Sequence, residues 1–244
     1  MKMSFYVTLP SDSSMNYFPE NKISHFITRL PVPIELKGMW EVGLVELLYP
    51  HTWHNVNADN NLIGFVLEKD GEMLGRRLPP GCYETVPDIL KAIYIKEHQN
   101  KIIFNYNPVT KRVKIKVKNN AKVILHDGLA QMLGFEPMEI TSTDDSSETV
   151  VESPFAADPC AHYRVLMIYT DIVEPQIVGD VLAPLLRIVR VTGSDGEVVS
   201  ALFDRPHYLP VNRKMIDTLE IDIRTHMGAF TPFERGRSYV KLHC

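Results

Sequence analysis

Along most of this chain apolar and polar residues alternate with a period of two, or gather in short runs rich in β-branched and aromatic side chains, the pattern of half-buried and buried strands. Phe5–Leu9, Ile23–Leu30 and Trp40–Tyr49 predict the first three strands, separated by SDSSMNYFPEN and PVPIELKG, both dense in turn formers. Leu62–Glu68 and Glu72–Leu78 predict a hairpin turning at Asp70-Gly71. The period then changes. In PPGCYETVPDILKAIYIKEHQN, apolar residues at Ile89, Leu90, Ile93 and Tyr94 fit an amphipathic helix of about three turns, with Thr85 as N-cap and Asp88 three residues on. Ile102–Tyr106 and Val113–Val117 read as a hairpin joined by NPVTKR, followed by a strand at Lys122–Leu125. HDGLAQMLGFEP reads as a short helix capped by Asp127 and ended by Gly134. The remainder is strand again: Tyr163–Tyr169, Leu185–Thr192, Val198–Phe203, Leu219–Arg224 and Ser238–His243, with a hairpin turn at Ser194-Asp195-Gly196.

This order implies a mainly β protein with one α+β interruption. Neither terminal block has enough strands to close a stable sheet alone, so the two blocks are expected to pair with each other. The expected architecture is a single jelly-roll β-sandwich built from residues 1–58 and 153–244, with an α+β insertion domain over 59–135. Residues 136–152 carry six carboxylates, no basic residue and the Ser/Thr-rich centre TSTDDSSET, which reads as an acidic linker or mobile loop.

Composition narrows the class. A chain of 244 residues that is 45% hydrophobic and 23% charged can bury a substantial core. Net charge is −4, so no general polyanion-binding surface is indicated and nucleic acid is not an expected partner. The local exception is KRVKIKVK, where Arg112, Lys114, Lys116 and Lys118 alternate with apolar residues and line one strand face. That row offers a polyanion contact, or a solvated edge that deters pairing. Cys82, Cys160 and Cys244 are odd in number and contain no CxxC pair, so neither a disulfide framework nor a structural zinc site is expected. No signal-peptide core and no run of about 18 apolar residues is visible.

Candidate chemistry is sparse. No P-loop, GxGxxG, GxSxG or HExxH motif occurs. His51 and His54 lie three apart in the loop PHTWHNV, where Trp53 reads as a packing anchor and no third ligand is near in sequence. Cys160 and His162, two apart on a strand start, stand too far apart for a nucleophile and its base. YTDIVEPQIVGD gathers Asp171, Glu174 and Asp180 after an apolar strand, but at spacings that fit neither a calcium loop nor a carboxylate pair for acid–base work. They read as an exposed, bent connection broken by Pro175 and Gly179. No catalytic, cofactor-binding or metal-binding residue is expected, and the chain does not read as an enzyme.

The stretches FYVTLPSDSSMNYFPENKISHFITRL and WEVGLVELLYPHTWHNV resemble the N-terminal region of the minor capsid (penton) protein of Polinton/Maverick elements and adintoviruses, a single jelly-roll family. DIVEPQIVGDVLAPLLRIV, RPHYLPV, LEIDIRTHMGAFTPFERG and the terminal VKLHC resemble its C-terminal half, and the PPGCYET–helix–LAQMLGF middle is similar to its α+β insertion. This chain ends in His243-Cys244 where the resemblance leads one to expect an aromatic after the histidine. The resemblance implies a virion protein, a homopentamer at the fivefold vertices of an icosahedral capsid, assembled inside the host cell against a double jelly-roll major capsid protein. It implies no cofactor. It points to Asp171, Glu174, Gln176 and Asp180 as an inter-subunit segment, and to Arg205, His207 and Tyr208 in the RPHYLP loop as a second one. A neighbour's Arg187, Arg205 or Arg235 would be the matching cation. The alternative is a jelly-roll glycan- or receptor-binding module, possibly the attachment head of the same capsid.

Overall fold

The computed structural model describes residues 4–68, 71–94, 100–144 and 147–244. In chain order the strands are β1 (Tyr6–Pro10), β2 (His25–Glu35), β3 (Glu41–Pro50), β4 (Leu62–Val66), β5 (Leu74–Arg77), β6 (Ile102–Asn107), β7 (Arg112–Lys118), β8 (Lys122–Leu125), β9 (Met138–Thr141) and β10 (Glu148–Glu152). They continue as β11 (Val165–Thr170), β12 (Gln176–Val178), β13 (Val181–Ala183), β14 (Leu185–Arg190), β15 (Val198–Leu202), β16 (Leu209–Pro210), β17 (Met215–Thr225) and β18 (Tyr239–His243). Two helices, α1 (Val86–Ile93) and α2 (Asp127–Met132), lie among the described residues between β5 and β9. The chain divides into two compact units: Met1–Trp53 with His162–Cys244, and His54–Ala161.

The first unit is a jelly roll. One sheet has the order β1-β18-β3-β15, with the short β16 also on β3; the other has the order β14-β11-β17-β2. The named pairings in both are antiparallel. Sequence neighbours such as β14 and β15 thus sit in different sheets, which is the interleaving of a double Greek key. β17 shows why the sheets face one another: Ile216, Leu219, Ile221 and Ile223 are buried while Glu220, Asp222 and Arg224 point the other way. β3 keeps Val42, Leu44, Leu47 and Tyr49 inward despite the odd step from Leu44 to Leu47. The register against β18 slips there, pairing Lys241 with Glu46 but Leu242 with Leu44, so a bulge re-phases the strand. Phe26, Trp53, Ile168 and Leu242 complete the core. Trp53 is the anchor expected of it, its ring near those of Tyr49, His51, Tyr163 and Phe233.

Two expectations for this unit are corrected. Ser194-Asp195-Gly196 is a turn, but not of a hairpin, because the strands it joins belong to opposite sheets. PVPIE is not a loop but the end of β2: Ile34 pairs with Ile216 and Arg29 with Thr218, so Pro31 and Pro33 fall in a bulge on an edge strand, where a missing N–H costs least.

The second unit has its own core around Ile63, Phe65, Ile89, Val113, Ile115, Val123, Leu129 and Phe135. Its sheets run β5-β4-β8-β9 and β10-β7-β6. The expected hairpin of Leu62–Glu68 and Glu72–Leu78 forms as β4 and β5, and of its turn residues Lys69 and Asp70 lie outside the described residues. Thr85 caps α1, its Oγ1 accepting the N–H of Asp88 and meeting the Asp88 carboxylate, which holds that carboxyl below its ordinary range. α1 is eight residues, not three turns, because Tyr94 takes an extended conformation at its C-cap. Asp127 is the first residue of α2 rather than its cap; His126 stands at the N-cap without a side-chain bond, and Asp127 accepts from Gln131 Nε2 at 2.8 Å instead. Gly134 ends the helix at φ +81°.

The acidic segment is the main correction. Residues 136–152 are not a linker: β9 pairs with β8 and β10 with β7, and the unit runs on to Ala161 rather than ending at 135. Asp145 and Ser146 lie outside the described residues. Glu148 stands opposite Lys118 and Glu152 opposite Lys114, so the acidic run folds because the basic strand supplies its cross-strand partners.

Candidate functional site

The pairing of β7 with β10 settles what the lysine row meets in this chain. Glu148 receives Lys116 at 2.7 Å and Lys118 at 3.0 Å, and Lys114 lies 3.7 Å from Glu152. Arg112 donates to the Ser153 carbonyl at 2.8 Å. The two lysine bonds hold the Glu148 carboxyl below its ordinary range. Two carboxylates thus partly neutralise the three lysines, and Arg112 is held by a backbone carbonyl, so the row is a cross-strand ladder that keeps a net positive charge.

The two segments marked in sequence as interface candidates are tied to each other. The N–H of Glu174 donates to the Pro210 carbonyl at 3.0 Å and Val173 bridges Val211. Asn212 closes the junction: its N–H donates to Ile172, and its Nδ2 to the carbonyls of Asp171 (3.0 Å) and Val173 (3.1 Å). Asp171 is occupied at this seam. One carboxylate oxygen accepts the N–H of Glu220 at 2.9 Å and the other pairs with Arg213 Nη2 at 2.8 Å. Asp171 therefore anchors its own loop.

From this anchored base the small hairpin β12–β13 projects. Gln176 pins its root by donating to the Leu185 carbonyl at 2.7 Å. Val178 pairs with Val181, so Gly179 and Asp180 form a two-residue turn, and Gly179 adopts φ +64°, a conformation that a side chain resists. Ile177 and Leu182 pair across the hairpin and are 82% and 72% exposed, with Val181 at 56%. These exposed aliphatic side chains are the features that sequence reasoning missed; the run IVGDVL held the signal, two apolar pairs flanking a Gly-Asp turn. Ile177 and Leu182 share one face of the hairpin and Val181 lies on the other, and Glu174 and Asp180 of the same segment are exposed.

Arg187 also has a contact within the chain. On the edge strand β14 its guanidinium stacks over Phe203 at 3.8 Å, Nη1 is buried without a hydrogen bond, and desolvation lowers its pKa. In the 205–210 loop Arg205 and His207 are exposed, whereas Tyr208 bonds His243 Nδ1 through its hydroxyl at 2.6 Å. The loop sits on Gly43, where a Cβ would come within 2.9 Å of Pro206. Beside it lies an open groove of about 330 Å³ lined by Tyr6, Glu46, Tyr208, Lys241 and His243. Of the two histidines in PHTWHNV, His51 packs on Trp53, with ring centroids 4.2 Å apart.

No family model matches this sequence, and no curated protein matches it. Among solved structures, the chain is similar to the mavirus penton protein, determined as a selenomethionine-labelled crystal: TM-score 0.52 at 12% identity, covering 99% of this chain and 99% of that one. At that identity the likeness establishes the shared fold over the full length.

Proposed function

We propose that this chain is a structural subunit of a viral or virus-like capsid, a penton protein that assembles as a homopentamer at fivefold vertices. The observation that carries the reading is the β12–β13 hairpin, an anchored arm whose Ile177 and Leu182 face solvent in the isolated chain. Each such side chain left in water forgoes about 1.5–3 kcal/mol that burial would supply. A second copy is the occupant a closed ring offers, since a ring requires one surface of a subunit to meet a different surface of the next. The full-length likeness to the mavirus penton protein supports this reading, as does the resemblance to Polinton/Maverick and adintovirus pentons. In it the site comprises Ile177, Val181 and Leu182 with Glu174, Asp180, Arg205 and His207 at its rim. A double jelly-roll major capsid protein is the outer partner, the virion is the location, and the role is non-enzymatic. The alternative, a glycan- or receptor-binding module, would draw on the Lys114–Lys118 row, whose three lysines are partly neutralised by Glu148 and Glu152 within the chain.

Negative-stain electron microscopy of the purified protein tests this. Rings with fivefold symmetry are expected; rings of another symmetry, or only single globules, would refute the pentamer.

A further inference from the structure

We propose that His25, Glu220 and Asp222 form a binding site for a divalent transition-metal ion, with zinc the ion their donor set suits best. The strand register builds the site. Across β2 and β17 His25 stands directly opposite Asp222, and Glu220 precedes Asp222 by two residues, so all three side chains leave the same face of the sheet. Their neighbours Phe26, Ile221 and Ile223 are 0% exposed and point into the core, which fixes the outward direction of the donors. The backbone that holds the donors is thus paired strand, not loop.

The distances suit a metal. His25 Nδ1 lies 2.6 Å from Asp222 Oδ1 and 3.7 Å from Glu220 Oε1, and the three donor atoms all lie within 4.8 Å of one another. Donors about 2.0–2.1 Å from a tetrahedral zinc ion stand about 3.3 Å apart, so the ion would replace the His25–Asp222 hydrogen bond and part that pair by about 0.7 Å. Arg224 orients the aspartate: Nε and Nη2 bind Oδ2 at 3.1 and 2.6 Å and leave Oδ1 to the site. The Phe230 ring, its centroid 5.1 Å from that of His25, covers the imidazole from one side. His25 also lines a cavity of about 560 Å³, and Thr231, 1% exposed with an unpartnered Oγ1, lines the same cavity. Two carboxylates against one guanidinium leave net negative charge for a cation. One imidazole among oxygens favours zinc-like ions over calcium or magnesium, which take oxygen ligands. Sequence spacing could not show this site, because His25 and Asp222 are 197 residues apart.

The test is calorimetric titration of zinc chloride into metal-stripped protein, run in parallel on the wild type, His25→Gln and Glu220→Gln. Both substitutions fall on partly exposed side chains, and circular dichroism confirms that each variant is folded. Differences between proteins, rather than total zinc, are read, so zinc taken by thiols or other histidines cancels. The expected result is one more zinc per chain in the wild type than in His25→Gln, with affinity lowered on the order of 100-fold in Glu220→Gln. Cobalt should give a tetrahedral visible band in the wild type that His25→Gln lacks. Equal stoichiometry and affinity in wild type and His25→Gln, or no zinc binding by the wild type, overturns the site.

Discussion

Ile177 and Leu182 face each other across the two strands of the β12–β13 hairpin, and both lie open to solvent while the root of the hairpin is bonded on either side. A rigid arm with an apolar tip is costly in water and useful against a partner. If the tip is a subunit contact, the double substitution Ile177→Asp with Leu182→Asp yields folded monomers. Unfolding free energy of the monomer should shift by no more than about 0.5 kcal/mol, as for other surface changes. Sedimentation velocity with urea denaturation measures both.

Asp171 has the opposite character. Its carboxylate bonds the Glu220 N–H and Arg213, so Asp171→Ala should lower stability by about 1.5–3 kcal/mol, the range for hydrogen bonds to a charged group. The same urea experiment reads the loss. An unchanged midpoint would show that the seam does not depend on this side chain.

The ladder between Glu148 and the lysines predicts an acid dependence. The Glu148 carboxyl is held below its ordinary pKa in the folded chain, so its contribution is present above the unfolded glutamate pKa and disappears as pH falls through the lowered folded value. The melting temperature of the wild type should exceed that of Glu148→Gln near neutrality, and the two should converge in acid. High salt should shrink the neutral-pH difference, since the pairs are exposed.

At alkaline pH the buried Cys244 thiol sets the sign. Burial pushes its pKa from 9.0 up to about 11, so folding favours the protonated form. Stability from this group is complete below the unfolded value of 9.0 and is lost as pH rises toward about 11. Cys244→Ala should flatten that part of the stability profile, and Cys244 should react with iodoacetamide only on unfolding.

Much of both units could be read from alternation. Val113, Ile115 and Val117 in β7, like Leu219, Ile221 and Ile223 in β17, bury every second side chain whatever their partners are. What escaped reading depends on pairing between distant segments. Glu148 and Glu152 read as solvated linker charges until the lysines of β7 stand opposite them. Pro31 and Pro33 read as a turn because the bulge that admits them belongs to the register with β17. At the candidate interface the right connection was visible as DIVEPQIVGD, but the carboxylates drew attention away from Ile177 and Leu182. Asp171 and Arg187 prove to be engaged within the chain, by Arg213 and Phe203 respectively. His25 and Asp222 meet only through the β2–β17 register.

The mass of the purified protein in solution, by size-exclusion chromatography with light scattering, tests the central claim most directly. A penton subunit with a chain mass of 27.8 kDa predicts a particle of about 139 kDa. A species that stays at 27.8 kDa across protein and salt concentrations contradicts it.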